Sequence, residues 1–367
     1  MRSNGKISKW QFIFLIVFTQ VGLAILMEPA VVAERAGKGS VVALLLALAA
    51  AFVLLPVHIA LMRAYPGRDL AGILTGILGK WAGKSVLFAL LLCCPLFIAC
   101  FVVRSMTDFV KWAFLPNTPE TLIAALFMLS ILFFARSGVV AAAHLAQLMF
   151  WPITLLIAMM LVLVMPTADV ANMVPLFDVG AKPIVMAALL VLVFPFMETL
   201  LFLMFVPYVD DPASIASALR TGLLISGIML VATTLMTILV LGSELVSISL
   251  FPAYLLSKKI SIGNFLERLE VFMAIIWFAT LFFRAAVMFL ITCLGLAKVF
   301  NLPTHKSMAA PLSFVVIGLS TIIVRNTQDY SGTAAIWQYY GFICLCCLPL
   351  LLLLIHGCKK LFARQHA

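Results

Sequence analysis

The stretch QVGLAILMEP at residues 20–29 decides the fold, because it places Gly22, Glu28 and Pro29 within the first long apolar run of the chain. In a helix interior, glycine costs about 1 kcal/mol and proline about 3 kcal/mol relative to alanine. A charged residue at the centre of a bilayer adds roughly 2.5–3.5 kcal/mol on insertion scales. A simple membrane anchor would not combine these three residues, so we predict that the helix unwinds here.

A second interruption, VFPFMET at residues 193–199, lies in the sixth apolar run, where Pro195 precedes Glu198. Unwound backbone at this depth is tolerated only where it is buried in protein or lines a wet cavity. The N-termini of half-helices present N–H groups to a carboxylate, and unwound carbonyls accept hydrogen bonds from an ammonium group. The pattern therefore favours a zwitterion, such as an amino acid, as ligand. The alternative, two ordinary proline kinks, does not explain the glutamate beside each break.

Composition excludes a soluble protein. Of the 367 residues, 65% are hydrophobic and 10% are charged, with a mean hydropathy of +1.21, whereas soluble domains carry about 25% charged residues. The net charge of +10 reflects Lys and Arg at span ends rather than nucleic-acid binding. A span needs about 20 apolar residues. Apolar windows predict ten spans, at residues 10–33, 40–62, 85–108, 119–135, 139–165, 183–207, 219–241, 268–297, 309–325 and 335–356.

The two breaks fall at matching positions in spans one and six. This arrangement predicts an all-α integral membrane fold of ten transmembrane helices, built as a 5+5 inverted repeat with helices 1 and 6 broken. We expect one membrane domain over residues 1–367, with a first repeat at 10–165 and a second at 183–356. Lys and Arg are more frequent on the side of the N-terminus, which favours a cytoplasmic position for both termini.

Two connecting segments have their own apolar pattern. Residues 68–83 carry leucine, isoleucine and tryptophan at helical spacing, which predicts an interfacial helix. Residues 243–267 are semi-apolar and are interrupted by Pro252 and Gly263, as expected for a loop folded back onto the outer mouth. The sequence contains no nucleophile–base pair, phosphate-binding loop or metal-ligand spacing. We therefore expect neither an enzyme nor a cofactor.

The first break resembles the IGxGIFxxP signature of the amino acid–polyamine–organocation superfamily. Gly22 and Pro29 match that signature, and Ala24 replaces its second glycine. Three longer stretches resemble the B subunits of bacterial spore nutrient germinant receptors. They are YPGRDLAGILTGILGKWAG at 65–83, VVRSMTDFVKWAFLPNTP at 102–119 and FPAYLLSKKISIGNFLERLEVFMAIIWF at 251–278.

The resemblance implies a transporter-like subunit of the spore inner membrane that recognises a germinant, typically an amino acid. It also implies two partners, a larger A subunit with membrane spans and a C-subunit lipoprotein. The methyl group of Ala24 narrows the approach of a carboxylate to the backbone and bears on the size of the ligand. A proton- or sodium-coupled amino acid permease is the alternative. Proton-coupled relatives commonly carry a lysine in span five, where this chain has only His144 as a titratable residue, which favours the receptor.

Glu28, Glu198 and Arg284 are the full charges that we expect inside the spans. Three positions for Arg284 are open: an ion pair with Glu198 or Glu28, a contact with the ligand carboxylate, or snorkelling to the interface. In the superfamily fold, spans one, three, six and eight line the solute site, so Phe97 and Trp277 are candidate walls, although such aromatic residues also serve as simple core. The predicted ligand-binding residues are Val21, Gly22, Leu23, Ala24, Ile25, Phe97, Phe194, Pro195, Phe196, Glu198, Trp277 and Arg284.

Overall fold

A computed structural model describes residues 5–258, 270–324 and 330–365, and helices make up most of these ranges. The first two helices are α1 (Lys9–Val21) and α2 (Ala24–Ala36), the halves of span one. The others are α3 Ser40–Ala64, α4 Leu70–Leu78, α5 Lys80–Leu91, α6 Phe97–Ala113, α7 Glu120–Ser137, α8 Val139–Val164, α9 Ala181–Val193, a 3-10 helix Phe196–Tyr208, α10 Ile215–Leu241, α11 Ser243–Ile248, α12 Pro252–Lys258, α13 Glu270–Val299, α14 Lys306–Ile323, α15 Tyr330–Phe342 and α16 Leu348–Gln365.

These helices confirm the predicted fold class. Within the described ranges, nine helical segments are long and apolar enough to cross a membrane, and α1 is a shorter apolar helix. One of the nine, Ala24–Ala64, contains both α2 and α3 around the 3-10 turn Gly37–Gly39. Since α1 and α2 together form span one, and α9 and the 3-10 helix form span six, the ten predicted spans are all represented within the described ranges.

Span one breaks at Gly22 and Leu23, and Pro29 lies inside α2. The helix α1 begins with a capping box. The backbone N–H of Gln11 donates to Ser8 Oγ at 3.3 Å, and the backbone N–H of Ser8 donates to the side-chain oxygen Oε1 of Gln11 at 2.9 Å. Pro29 is the sixth residue of α2, beyond the four N-terminal N–H groups that have no intrahelical acceptor, so it removes one backbone donor from the helix without ending it.

The central helices are buried on every side. All residues of α1 from Gln11 to Val21 are buried, as are those of the 3-10 helix from Phe196 to Val206. A helix that is apolar on all faces is expected in the interior of such a bundle. By contrast, α7, α8 and α14 expose large apolar side chains, such as Phe133, Leu155 and Phe314, as expected of surfaces that contact lipid.

The two broken spans are joined at one end of the bundle. The Ile7 N–H donates to the Tyr208 carbonyl at 2.8 Å, and the Asp210 N–H donates to the Ile7 carbonyl at 3.0 Å. The start of span one and the end of span six are therefore held side by side, with their breaks deeper in the bundle.

The connecting segments agree in part with expectation. The predicted helix at 68–83 is α4, which is capped by Asp69 and buries one face, whereas Trp81 belongs to α5 and is exposed. The segment after α10 contains the short helices α11 and α12. Residues 259–269, which include the end of the segment predicted to fold back (243–267) and part of the third family stretch, lie outside the described residues.

Candidate functional site

The last carbonyls of α1 receive hydrogen bonds from one face of α13. Thr280 and Arg284 are four residues apart and therefore project from the same side of that helix. The Thr280 hydroxyl donates to the Gly22 carbonyl at 3.3 Å, and Arg284 Nη1 donates to the Thr19 carbonyl. The final carbonyls of a helix lack intrahelical partners and carry partial negative charge, so a cation is stabilising there. Arg284 thus caps the first half of span one.

Gly22 is required by the close approach of Arg284. A Cβ atom at Gly22 would lie 2.6 Å from Arg284 Cβ and 2.7 Å from Arg284 Cδ. These distances are shorter than real carbon–carbon contacts, so the arginine chain occupies the space that a side chain would need. The break in span one and the path of Arg284 are therefore parts of the same arrangement.

Arg284 also connects the first break to the second. Its Nη2 donates to Glu198 Oε1 at 2.5 Å, and both side chains are fully buried. Its guanidinium carbon lies 4.4 Å from the ring centroid of Phe194, the residue that follows α9. The pairing with Glu198 is the first of the three positions considered for Arg284. The snorkelling alternative is wrong, because the side chain has no exposed surface.

Gln20 makes a second connection between the breaks. Its Nε2 donates to the Phe196 carbonyl at 3.3 Å, and its Oε1 accepts from the Ser226 hydroxyl at 2.5 Å. Freed carbonyls of both broken spans therefore have partners, which is the condition for unwound backbone inside a membrane.

A cavity of about 400 Å³ lies beside the first break. Its wall includes α2, the half of span one that follows the break. Its walls come from α2, α6, α9, α13 and α15 and from the connection between α11 and α12. Most lining side chains are apolar, and the charged ones are Glu28, Glu34 and Arg284. The full lining is Leu23, Met27, Glu28, Ala30, Val31, Glu34, Phe97, Ile98, Phe101, Val102, Val191, Phe194, Ser247, Ile248, Ser249, Leu250, Arg284, Tyr330, Trp337 and Gln338.

Aromatic rings form one wall of this cavity. Trp337 stacks on Phe97 with ring centroids 6.1 Å apart and meets Phe194 edge-on at 5.9 Å. Phe101 meets Tyr330 edge-on at 5.4 Å. The indole N–H of Trp337 donates to a backbone carbonyl of span three at 3.1 Å, which fixes the ring. A pocket with apolar walls and few polar groups is the usual form of a small-molecule site.

Glu28 is the unusual polar group of the cavity. Its side chain is buried, with 2% exposure, and neither carboxylate oxygen has a hydrogen-bond partner within the described part of the chain. Buried charges in proteins are normally paired, because an isolated one is expensive. Glu28 therefore takes up either a proton or a cation that the described residues do not supply.

The spore permease family, described as "Spore germination protein", matches residues 6–329. The chain belongs to this family. It is 26% identical to Spore germination protein KB of Bacillus subtilis (strain 168) over 362 residues, which cover 97% of this chain and 96% of that protein. It is 23% identical to Spore germination protein B2 of the same organism over 372 residues, covering 99% of this chain and 98% of that one. The resemblance to germinant receptor B subunits is thereby confirmed.

Two solved transporters share the fold of this spore germination protein. The structure of MhsT in complex with L-phenylalanine matches with a TM-score of 0.67 at 14% identity, over 94% of this chain and 87% of that chain. Mhp1, a nucleobase-cation-symport-1 family transporter in a closed conformation with bromovinylhydantoin bound, matches with a TM-score of 0.65 at 13% identity, over 94% and 77%. Family and fold are thus permease- and transporter-like, in a multi-pass membrane protein.

The predicted ligand-binding residues fall into three groups. Leu23, Phe97, Phe194 and Arg284 line the cavity. Trp277 packs edge-on against Phe109, with ring centroids 3.7 Å apart, away from the cavity. The rest surround the breaks without lining the cavity: Val21, Gly22, Ala24, Ile25, Pro195, Phe196 and Glu198.

Sequence reasoning missed two buried charges and much of the cavity wall. Arg104 and Asp108 are buried in α6 and paired at 3.0 Å. Arg104 also reaches Glu120 at 2.6 Å, and the Tyr330 hydroxyl donates to Asp108 at 2.6 Å. The spacing of four residues between Arg104 and Asp108 was a usable signal of an ion pair on one helix face. Tyr330, at the start of α15, gave no comparable signal in the sequence.

Proposed function

We propose that this chain is the germinant-binding subunit of a spore nutrient receptor, and that the germinant is a small nutrient such as an amino acid. The observation that carries the proposal is the cavity beside the broken first span, because it combines aromatic walls with the charged groups of Glu28 and Arg284. In this proposal Leu23, Phe97 and Phe194 contact the ligand. The residues of the two breaks hold the geometry of the site.

Membership of the family supports a proposal for the wider assembly. We place the chain in the spore inner membrane with both termini on the cytoplasmic, core side. Its partners are a larger A subunit and a C-subunit lipoprotein. The whole of residues 1–367 forms one transporter-like domain with repeats at 10–165 and 183–356. This placement is supported by two spore germination proteins that match the chain over nearly their whole length.

Signalling requires that the ligand prefer one of two conformations. The end of α11 and the residues that follow it, together 247–250, contribute to the cavity wall with α2. A ligand that contacts both elements would favour the arrangement in which they are close. We propose that this closure is what the partner subunits detect.

The test is ligand binding to purified protein in which the cavity has been filled. Ala30 lines the cavity, so Ala30→Phe should reduce the affinity for any solute that binds there by at least tenfold, by occupying its space. Ala49 is exposed on α3, so Ala49→Phe is the matched control and should bind as the wild type does. Binding is measured with radiolabelled amino acids, and folding by the size-exclusion profile. If Ala30→Phe binds with unchanged affinity, the cavity is not the germinant site.

A coupled permease is the second candidate. Glu28 and Glu198 Oε2 are buried without partners among the described residues, and such carboxylates can bind a coupling proton or sodium ion. Purified protein in liposomes should bind labelled amino acid without accumulating it if it is a receptor alone. Gradient-driven accumulation in the absence of other subunits would establish the permease instead.

A further inference from the structure

The starting observation is the position of Glu28 in the cavity wall. The side chain is buried, both carboxylate oxygens lack a hydrogen-bond partner within the described ranges, and the residue lines the cavity. The cost of an uncompensated buried charge is removed by a cation or by a proton. A cation that occupies the cavity is one such partner.

Arg284 is not available to neutralise Glu28. Its Nη2 is bound to Glu198 and its Nη1 to the Thr19 carbonyl, and its guanidinium lies over Phe194. Only Nε is left without a partner in the described chain. The positive charge of Arg284 is therefore already matched by Glu198, and these two groups together contribute no net charge to the site.

With Glu28 ionised, the charge balance of the cavity is negative. Glu28 is unmatched, and Glu34, the other carboxylate in the lining, is exposed and therefore solvated. A ligand ammonium group would pair with Glu28, whereas a ligand carboxylate would have to compete with Glu198 for Arg284. The remaining walls are mostly apolar or aromatic, so they suit an uncharged hydrocarbon body.

We propose that Glu28 binds an ammonium group of the ligand, and that the ligand needs no carboxylate. The ligand class is a primary ammonium compound with an apolar body, which includes apolar amino acids and the corresponding amines. This inference rests on the proposed function, because it names the chemistry of the ligand in the same cavity. It differs from the sequence-based expectation, which placed a ligand carboxylate at the break.

The experiment compares three probes with the same isobutyl body at pH 7: L-leucine, 3-methylbutylamine and 4-methylpentanoate. The amine is protonated at this pH, since such groups have pKa values near that of lysine. Binding to purified wild-type protein is measured by isothermal titration. L-leucine and 3-methylbutylamine should bind within tenfold of each other, and 4-methylpentanoate should bind at least 100-fold more weakly than either.

The variant Glu28→Gln should lose at least 100-fold in affinity for L-leucine and 3-methylbutylamine. Glutamine has the shape of a protonated glutamate, so a site that merely holds a proton on Glu28 would keep its affinity. Glu244→Gln is the matched control, because Glu244 is an exposed carboxylate on α11 outside the cavity lining. This control should bind both probes as the wild type does. Thermal unfolding of each variant reports on folding independently.

Two results would overturn the inference without contradicting the proposed function. One is binding of 4-methylpentanoate as tight as that of 3-methylbutylamine, and the other is Glu28→Gln binding the amine within threefold of wild type. If none of the three probes binds, the ligand class is wrong. The proposed function is then decided separately, by the cavity-filling test with the full set of amino acids.

Discussion

Replacement of Arg284 tests whether its ion pair holds the two breaks together. Arg284→Met removes the guanidinium and keeps an unbranched chain against Gly22, so the packing at the first break is largely preserved. Glu198, 2.5 Å from Arg284 Nη2 and fully buried, is then left without its counter-ion. Removal of one partner of a buried ion pair costs about 3–5 kcal/mol.

The expected shift in thermal stability follows from the size of the chain. An unfolding entropy of about 2.1 cal/mol/K per residue gives roughly 0.8 kcal/mol/K for 367 residues. Arg284→Met should therefore lower the midpoint of thermal unfolding by about 4–7 °C. The midpoint is measured on detergent-purified protein as the fraction that remains monodisperse in size-exclusion chromatography after heating.

The double variant Arg284→Met/Glu198→Gln is the decisive comparison. A neutral amide in place of the unpaired carboxylate removes most of the desolvation cost, so the double variant should regain at least half of the lost midpoint. If the single and double variants unfold at the same temperature, the Arg284–Glu198 pair does not stabilise the breaks. An unchanged midpoint in the single variant would refute the same reasoning more directly.

Two further predictions concern the same elements. Gly22→Ala should lower the free energy of unfolding by about 1–3 kcal/mol. The reason is that the new Cβ would lie 2.6 Å from Arg284 Cβ, so one of the two atoms must move. Thermal unfolding measures the loss of stability. Tyr330→Phe should cost about 1.5–3 kcal/mol, because it removes the 2.6 Å hydrogen bond to the buried carboxylate of Asp108, and the same assay applies.

Each of these variants has a matched control. Gly318 lies in α14, where an added Cβ would meet nothing within 4 Å, so Gly318→Ala should keep or raise stability. Tyr339 lies on the same helix as Tyr330 but is 71% exposed, so Tyr339→Phe should be neutral. Equal losses in a variant and its control would show that the effect does not arise from the contact named.

The location of the breaks could be predicted from the sequence, because residues that are costly in a membrane helix are conspicuous there. Gly22 and Glu28 in span one, and Pro195 and Glu198 in span six, each conflict with an unbroken apolar helix. The exact residue at which the helix stops could not be predicted as well. Pro29 is the strongest local helix breaker in the stretch, yet it lies inside α2 as its sixth residue, and the helix stops instead at Gly22 and Leu23.

The partners of these residues could not be predicted, because apolar helices hide their rotation. A span such as α1 is apolar on every face, so its sequence does not tell which side faces α13. The bonds from Gln20 to span six, and from Thr280 and Arg284 to span one, depend on that rotation. The cavity wall contributed by Tyr330 and Trp337 was missed for the same reason.

The position of Arg284 changes how the first break should be interpreted. The sequence suggested that Gly22 lets a ligand carboxylate approach the backbone and that the methyl group of Ala24 narrows this approach. In the structure the side chain of Arg284 fills the space beside Gly22, and Ala24 is fully buried outside the cavity. The backbone at the break is thus occupied by the protein itself. The cavity is lined by Leu23 next to the glycine and by Met27 and Glu28 one turn further along α2, so ligand selection depends more on these side chains than on the glycine.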